Sequence, residues 1–235
     1  MQIDVSLAKD QRILLAAEKV FSARGYEKAT IDEIIALADV GKGTVYKYFG
    51  NKEQLFYKLI SDKNIPFIKQ IKEAVNAAEG IEAKLFAYMK EMVSFYRENY
   101  ALWQIMCFEM LGVSNGCHVL KEDGEYKILS RYSNVEPSEQ LKEQVLRYYM
   151  IMESEFTILH EVMQEGMKVG FLKKGNSQIV SRELFWSVAM CVFNQREYDA
   201  KFSAEEIAAI IIDRFLYGSA YKKTHLFNSE LHPKS

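Results

Sequence analysis

The sequence predicts an all-α protein, with an N-terminal three-helix domain containing a helix-turn-helix and a larger helical domain behind it. Three observations carry that prediction. Apolar residues recur at steps of three and four along most of the chain, most regularly at Val145, Tyr149, Met152, Phe156, Leu159 and Met163. Breakers are scarce, with 12 Gly and 3 Pro in 235 residues. Start and stop signals punctuate the periodic runs at helical lengths.

In the first helix Ile13, Ala17, Val20 and Phe21 recur at helical spacing, with Arg12, Glu18, Lys19 and Arg24 between them. It is expected to stop at Gly25, with Tyr26 folding back as its apolar partner. Thr30-Ile31-Asp32-Glu33 is a capping box, in which the hydroxyl and the carboxylate each satisfy a free backbone N–H. Ile31, Ile34, Ile35 and Ala38 continue that helix as one stripe. After a break at Asp39-Val40-Gly41, a short third helix runs from about Lys42 to Phe49. Gly50-Asn51 ends it, and Asn51 caps a fourth helix with Gln54 three residues on. The fourth carries Leu55, Phe56 and Leu59 and is expected to bend or break at Pro66. Leu85, Tyr88, Met89, Met92, Phe95 and Tyr96 mark a fifth, and Ala101 to Leu111 a short apolar sixth. Gly112 to Pro137 reads as a loop with room for a short element of its own, long enough to be functional or mobile. The regular helix through Met163 ends near Gly170. Two last helices, about 177–197 and 203–221, are apolar on nearly all sides.

Composition narrows the function classes. The formal net charge of −2 excludes a globally basic nucleic-acid coat and leaves room for a local basic patch. Cys107, Cys117 and Cys191 lack metal-ligand spacing, and an odd count argues against a disulfide framework. Cys117-His118 reads as a loop cysteine beside a solvated histidine. No pattern calls for a cofactor or a metal. Met1 to Asp10 lacks the apolar run of a signal peptide, and the longest near-apolar stretch, Leu184 to Phe193, is ten residues, too short to cross a bilayer. A cytoplasmic protein with no membrane partner is expected.

Helices two and three have what a DNA-reading helix-turn-helix requires. Ile34, Ala38, Val40, Val45 and Phe49 supply the apolar inner face, and Gly41 permits the tight turn. Lys42, Gly43 and Thr44 put a cation, a close backbone approach and a hydroxyl at the start of the second helix. Tyr46, Lys47 and Tyr48 follow on the exposed side. Between residues 40 and 58 four lysines stand against one acid, whereas residues 59–235 carry 21 basic and 24 acidic groups.

Thr30-Ile31-Asp32-Glu33-Ile34, Gly41-Lys42-Gly43-Thr44-Val45-Tyr46-Lys47-Tyr48-Phe49 and Asn51-Lys52-Glu53-Gln54-Leu55 together closely resemble the tetracycline-repressor (TetR) family, and Ile13 to Tyr26 is similar to that family's first helix. The resemblance spans roughly residues 10–59. It implies a helix-turn-helix DNA-binding domain over residues 1–50 and a helical effector-binding and dimerisation domain over 51–235. It also implies roles: Thr30 on a phosphate, Lys42, Gly43 and Thr44 at backbone or base edges, Tyr46 and Tyr48 packed on or hydrogen-bonded to DNA, and Lys52 on a second phosphate. Lys47 stands at a more variable position and is the candidate base reader. The implied protein is a homodimeric repressor of the bacterial cytosol, binding a palindromic operator on double-stranded DNA and released by a small-molecule effector. The last two helices would then form a four-helix dimer interface, with Phe185, Trp186, Ile211 and Phe215 as candidates, and helices apolar all round need that extra burial.

The effector site is less sharply drawn. Trp103, Met152 and Phe156 are candidate apolar lining, although an ordinary core would use the same residues. Gln104, Glu109, Thr157, His160 and Asn194 are polar among apolar neighbours, so a partner or a ligand should meet their burial cost. An aromatic and Met-rich domain suits a largely apolar effector. Two other classes make different demands on the sequence. An enzyme lacks a nucleophile–base pair, a metal cluster or a phosphate loop in this sequence. A DNA-binding regulator or activator controlled by a protein partner predicts a filled C-terminal domain, whereas an effector predicts a cavity of roughly 300–1,000 Å³.

Overall fold

The computed structural model describes residues 3–110, 116–122, 124–130, 136–193 and 201–218. The described elements are α1 (Lys9–Lys28), α2 (Ile31–Ala38), α3 (Lys42–Phe49), α4 (Lys52–Ala77), α5 (Ile81–Glu98), α6 (Tyr100–Ile105), β1 (Cys117–Glu122), β2 (Glu125–Ser130), α7 (Glu139–Lys168), α8 (Ser177–Phe193) and α9 (Ala204–Tyr217). The helical order follows the periodicity. Two departures stand out. Lys52–Ala77 runs unbroken through Pro66. Pro66 is exposed, while Asn64 and Phe67 beside it are buried and Phe67 lies face to face with Phe95 of α5, so packing holds the helix across the missing N–H. The stretch expected to be a loop holds an antiparallel hairpin, whose register Glu122↔Glu125 leaves a two-residue connection with Gly124 at φ 86°.

Helix ends obey local chemistry. α1 breaks its helical geometry at Gly25 (φ 75°), and Tyr26 returns to stack on Phe21 at 5.8 Å. At α2 both halves of the capping box form: Glu33 N–H donates to Thr30 Oγ1 (3.2 Å) and Thr30 N–H to Glu33 Oε2 (3.1 Å). The tight turn after α2 is made not at Gly41, which has φ −73°, but at Asp39, which takes φ 51°. Asn51 Oδ1 accepts from Gln54 N–H at 2.8 Å to start α4. α6 continues as a π turn, Met106–Met110. Near the end of α7, Gly166 is required for a different reason: a Cβ there would meet Leu172 at 2.7 Å and Ile81 at 3.0 Å.

One apolar core runs continuously through the molecule, from Ile13 and Phe21 in α1, through Leu55 and Phe56 in α4, to Tyr148 and Phe156 in α7 and Ile212 in α9. A smaller cluster of Cys117, Ile128 and Val145 fixes the hairpin onto the first half of α7.

Candidate functional site

The N-terminal end presents the side chains expected of it. Val45 and Phe49 of α3 are buried, and Lys42, Gly43, Tyr46, Lys47 and Tyr48 are exposed, with Thr44 half-buried. A Cβ at Gly43 would meet nothing within 4 Å, so the backbone is open to an approaching surface. Two of the lysines are engaged within the protein. Lys42 Nζ pairs with Asp32 at 3.1 Å, and hydrogen bonding to that carboxylate holds its pKa above the ordinary lysine value. Lys52 Nζ donates to the carbonyls of Glu27 (3.3 Å) and Ala29 (3.0 Å) and lies 4.4 Å over the Tyr26 ring. The geometry of the turn has a support that the sequence did not announce. Arg12 is buried in α1, and its Nη2 donates to the Asp39 carbonyl (2.6 Å) and carboxylate (3.2 Å). That contact holds the left-handed residue between α2 and α3.

Behind this end, α7 grips the start of α4. Arg147 Nη2 donates to Glu53 Oε2 at 2.9 Å, and its guanidinium lies 5.4 Å over the Tyr57 ring. The Tyr148 hydroxyl reaches the Glu53 carbonyl at 3.5 Å, and burial pushes that phenol's pKa up. Farther along the same two helices, Asn64 Nδ2 donates to Ser154 Oγ at 3.3 Å.

The same helix α7 walls a cavity of about 240 Å³ together with the π turn, the hairpin and α8. Tyr149, Met152, Glu153 and Phe156 come from α7, Cys107 from the π turn, Cys117, His118 and Val119 from β1, and Arg182, Phe185 and Trp186 from α8. Its volume falls below the expected range, and Phe156 and Phe185 in its wall stand 6.2 Å apart, edge to face. A more open hollow of about 700 Å³ lies between the start of α5 and α9. Beside the smaller cavity sits a buried carboxyl. Glu155 is fully buried, with Oε2 accepting from the Tyr96 hydroxyl at 2.8 Å and its own carbonyl accepting from the Tyr88 hydroxyl at 3.0 Å. Burial raises its pKa to about 8, while hydrogen bonding from Tyr96 and the facing Trp103 indole opposes that rise. It also helps push the Cys107 thiol far up, after burial itself.

Of the expected ligand contacts, the cavity brings together Met152 and Phe156. Trp103 is buried next to it, edge-on to Phe95 at 4.5 Å. The others do not converge. Gln104 opens onto a surface hollow with Phe21, Ser22 and Phe108. Thr157 is exposed and returns its hydroxyl to the Glu153 carbonyl at 2.7 Å, as helical threonines do. His160 Nε2 lies 3.3 Å from Ser177 Oγ. Asn194 and the side chain of Glu109 lie outside the described residues. Among the expected dimer residues, Trp186 is exposed and Ile211 and Phe215 are half-buried. Phe185 corrects the expectation: it is 2% exposed and packs into the core against Phe156. Cys117 is likewise no loop cysteine, being 2% exposed against Ile128 and Val145. Sequence reasoning missed Tyr149, Arg182 and Glu155. Glu155 carried a usable signal, one acid on the apolar side of the most regular helix.

Residues 13–59 match the family described as bacterial regulatory proteins, tetR family. The chain is 23% identical over 209 residues to the fatty acid metabolism regulator protein of Bacillus subtilis, covering 87% of this chain and 94% of that one. In fold it is similar to the transcriptional regulator FadR from Bacillus subtilis, solved in complex with stearoyl-CoA, with a TM-score of 0.67 at 21% identity over 89% of this chain and 99% of that one. It is also similar to AibR, solved in complex with isovaleryl coenzyme A and operator DNA, with a TM-score of 0.64 at 16% identity over 89% and 98%. FadR and the fatty acid metabolism regulator are named as regulators and not as enzymes. Over residues 13–59 the chain carries the N-terminal helix-turn-helix of the bacterial regulatory proteins of the tetR family, and its fold, with a larger helical domain behind that end, is shared with the solved regulators named above.

Proposed function

We propose that the chain is a homodimeric repressor that reads a palindromic operator with α3 and releases it when an acyl-CoA thioester enters the cavity between the hairpin, α7 and α8. Residues 1–50 form the reading domain and 51–235 the effector and dimerisation domain. Lys47 reads base edges, Tyr46 and Tyr48 pack on the backbone or bases, Lys42, Gly43 and Thr44 make the entry contacts, and Thr30 and Lys52 take phosphates. Trp186, Ile211 and Phe215 contribute to a dimer face on α8 and α9, where Ile179 and Ile210 also stand exposed. The complexes of FadR with stearoyl-CoA and of AibR with isovaleryl coenzyme A support the effector class. An acyl chain suits the apolar walls, and Arg182 and His118 suit the polar head.

The observation that carries this reading is that one helix serves both ends. Tyr149, Met152 and Phe156 line the cavity, and Arg147 and Tyr148, at most nine residues earlier on α7, hold Glu53 at the start of α4. A ligand that displaces α7 therefore displaces the segment that seats the reading head, with a coupling of roughly 5–150-fold in DNA affinity if ordinary. The test is selection of an operator from a random duplex library, followed by fluorescence anisotropy with and without octanoyl-CoA. A two-fold-symmetric site that octanoyl-CoA weakens is the expected result. Arg147→Met should retain operator affinity and lose most of the release. A site that no acyl-CoA weakens would reject the effector assignment, and no symmetric site at all would reject the dimeric reader.

A further inference from the structure

The wall of the cavity between the hairpin, α7 and α8 is graded in exposure. Cys107, Phe156 and Phe185 are buried, whereas Arg182 is exposed, with its guanidinium 5.3 Å over the Phe156 ring. His118, Tyr149 and Glu153 are half-buried. Two of these three are engaged within the wall, since the Tyr149 hydroxyl hydrogen-bonds both Arg182 and Glu153. His118 differs: its Nδ1 is buried and has no hydrogen-bond partner among the described residues.

An acyl-CoA thioester is graded in the same way. Its chain is apolar, its head is charged and hydrated, and at the junction stands one carbonyl oxygen, which only accepts. With the chain against the buried residues and the head at Arg182, that oxygen falls at the half-buried part of the wall. A neutral imidazole carries its proton on either nitrogen, so Nδ1 can be the donor that the carbonyl needs. The χ2 torsion that turns the ring is broad and roughly two-fold, which lets this nitrogen face the space that the residue lines. A buried nitrogen without a partner carries a desolvation cost, and a ligand group that meets it removes that cost.

We propose that His118 is the specificity-determining residue for the effector's thioester, its Nδ1–H donating to the carbonyl oxygen at the root of the acyl chain. The inference rests on the acyl-CoA reading above and deepens it by naming the atom of the thioester that the cavity reads. It also gives the hairpin a part in the response. β1 carries His118, and Cys117, Ile128 and Val145 hold the hairpin on α7. Val145 stands two residues before Arg147, which grips Glu53. A carbonyl bound to His118 therefore ties the hairpin to the part of α7 that seats the reading head.

The experiment is isothermal titration of the full-length protein at neutral pH with hexanoyl-, octanoyl- and decanoyl-CoA, each beside its S-alkyl-CoA thioether of equal chain length, alongside the operator-release assay. The thioether keeps head and chain and replaces the carbonyl oxygen by two hydrogens. At each length that binds, the thioester should be about tenfold tighter, the contribution of one well-made buried hydrogen bond. That preference should vanish in His118→Phe, which keeps a flat ring without a donor. His118→Asn, which brings an amide N–H near the position of Nδ1, should restore part of it. If His118→Phe does not fold, the wild-type comparison and the Asn variant carry the decision. Thioethers that bind as tightly as their thioesters would overturn this inference and leave the acyl-CoA reading standing, His118 Nδ1 then serving only a trapped water. A preference that survives unchanged in His118→Phe would also overturn it, because the carbonyl would then sit on another donor. No binding and no release by any thioester would overturn both readings.

Discussion

The reading end and the cavity end are built from partners at very different distances along the chain. Around α2, α3 and the start of α4, Thr30 meets Glu33 and Asn51 meets Gln54, each three residues away. Beside the cavity, Glu155 meets Tyr96 across 59 residues and Tyr88 across 67, and between the two ends Arg147 meets Glu53 across 94. The first kind of contact is encoded by spacing and forms wherever its short segment becomes helical. The second exists only once the core has assembled. A surface that must present side chains to DNA can be specified locally, whereas a site that accepts a ligand inside the core must be specified by packing.

The strongest attack on this contrast is at the residue where the two ends join. Phe56 packs on Phe21 (5.0 Å), Tyr26 (5.4 Å) and Tyr148 (6.1 Å), so it ties α1, α4 and α7 together. Phe56→Ala should cost about 3–5 kcal/mol in urea unfolding, still as a single transition. Two separated transitions would show that the continuous core does not couple the ends. Next in size is the pH dependence that the buried carboxyl imposes. The folded pKa of Glu155, raised to about 8, lies above its ordinary value of 4.5, so between those values the folded protein binds more protons than the unfolded chain. Stability therefore falls as pH rises through that window, by up to roughly 1.4 kcal/mol per pH unit, and levels off once the carboxyl ionises in the fold. Urea midpoints compared with Glu155→Gln isolate the slope, which the variant should lack. Tyr88, Tyr96, Trp103 and Cys107 are the groups around that carboxyl, and the tyrosines and the cysteine are held protonated well above this range.

Smaller effects are expected at the reading end. Arg12→Met removes the donor that holds the Asp39 carbonyl and should cost about 1–3 kcal/mol. Little of that is charge, because the Asp39 side chain is 84% exposed. Hydrogen exchange should quicken in α2 and α3 and not around the cavity; quickening everywhere would make Arg12 part of the general core. Thr30→Ala should cost about 1 kcal/mol by losing one side of the capping box, and Thr30→Ser almost nothing. A larger loss from Thr30→Ala would mean that local contacts at this end are not as independent as their spacing suggests.

What could be read from the chain follows the same division. The helix order, the capping box and the exposed face of α3 are legible because each depends on residues within a turn or two. The hairpin was also open to reading: Asp123-Gly124 between two six-residue runs is a two-residue turn signal, masked by the mixed charge around it. Phe185 lies inward on a helix that is apolar all round, and periodicity does not say which of two apolar faces meets the core. Gln104, Thr157 and His160 shared the polar-among-apolar pattern with Glu155, yet each satisfies itself locally or at the surface. Only assembly distinguishes the one whose partners come from α5 and α6.

Lys52, folded back on the carbonyls of Glu27 and Ala29, has a consequence for how the protein responds to ionic strength. Each phosphate that a lysine neutralises releases condensed counterions and steepens the logarithmic fall of DNA affinity with salt by about 0.9. If Lys52 and the Asp32-paired Lys42 keep their internal partners, they add nothing to that slope. If both swing outward to phosphates in each half-site of a dimer, they steepen it by roughly 4. A salt titration of operator binding thus counts how many of these cations leave the protein for the duplex, and a protein that keeps them would hold its operator across a wide range of salinity.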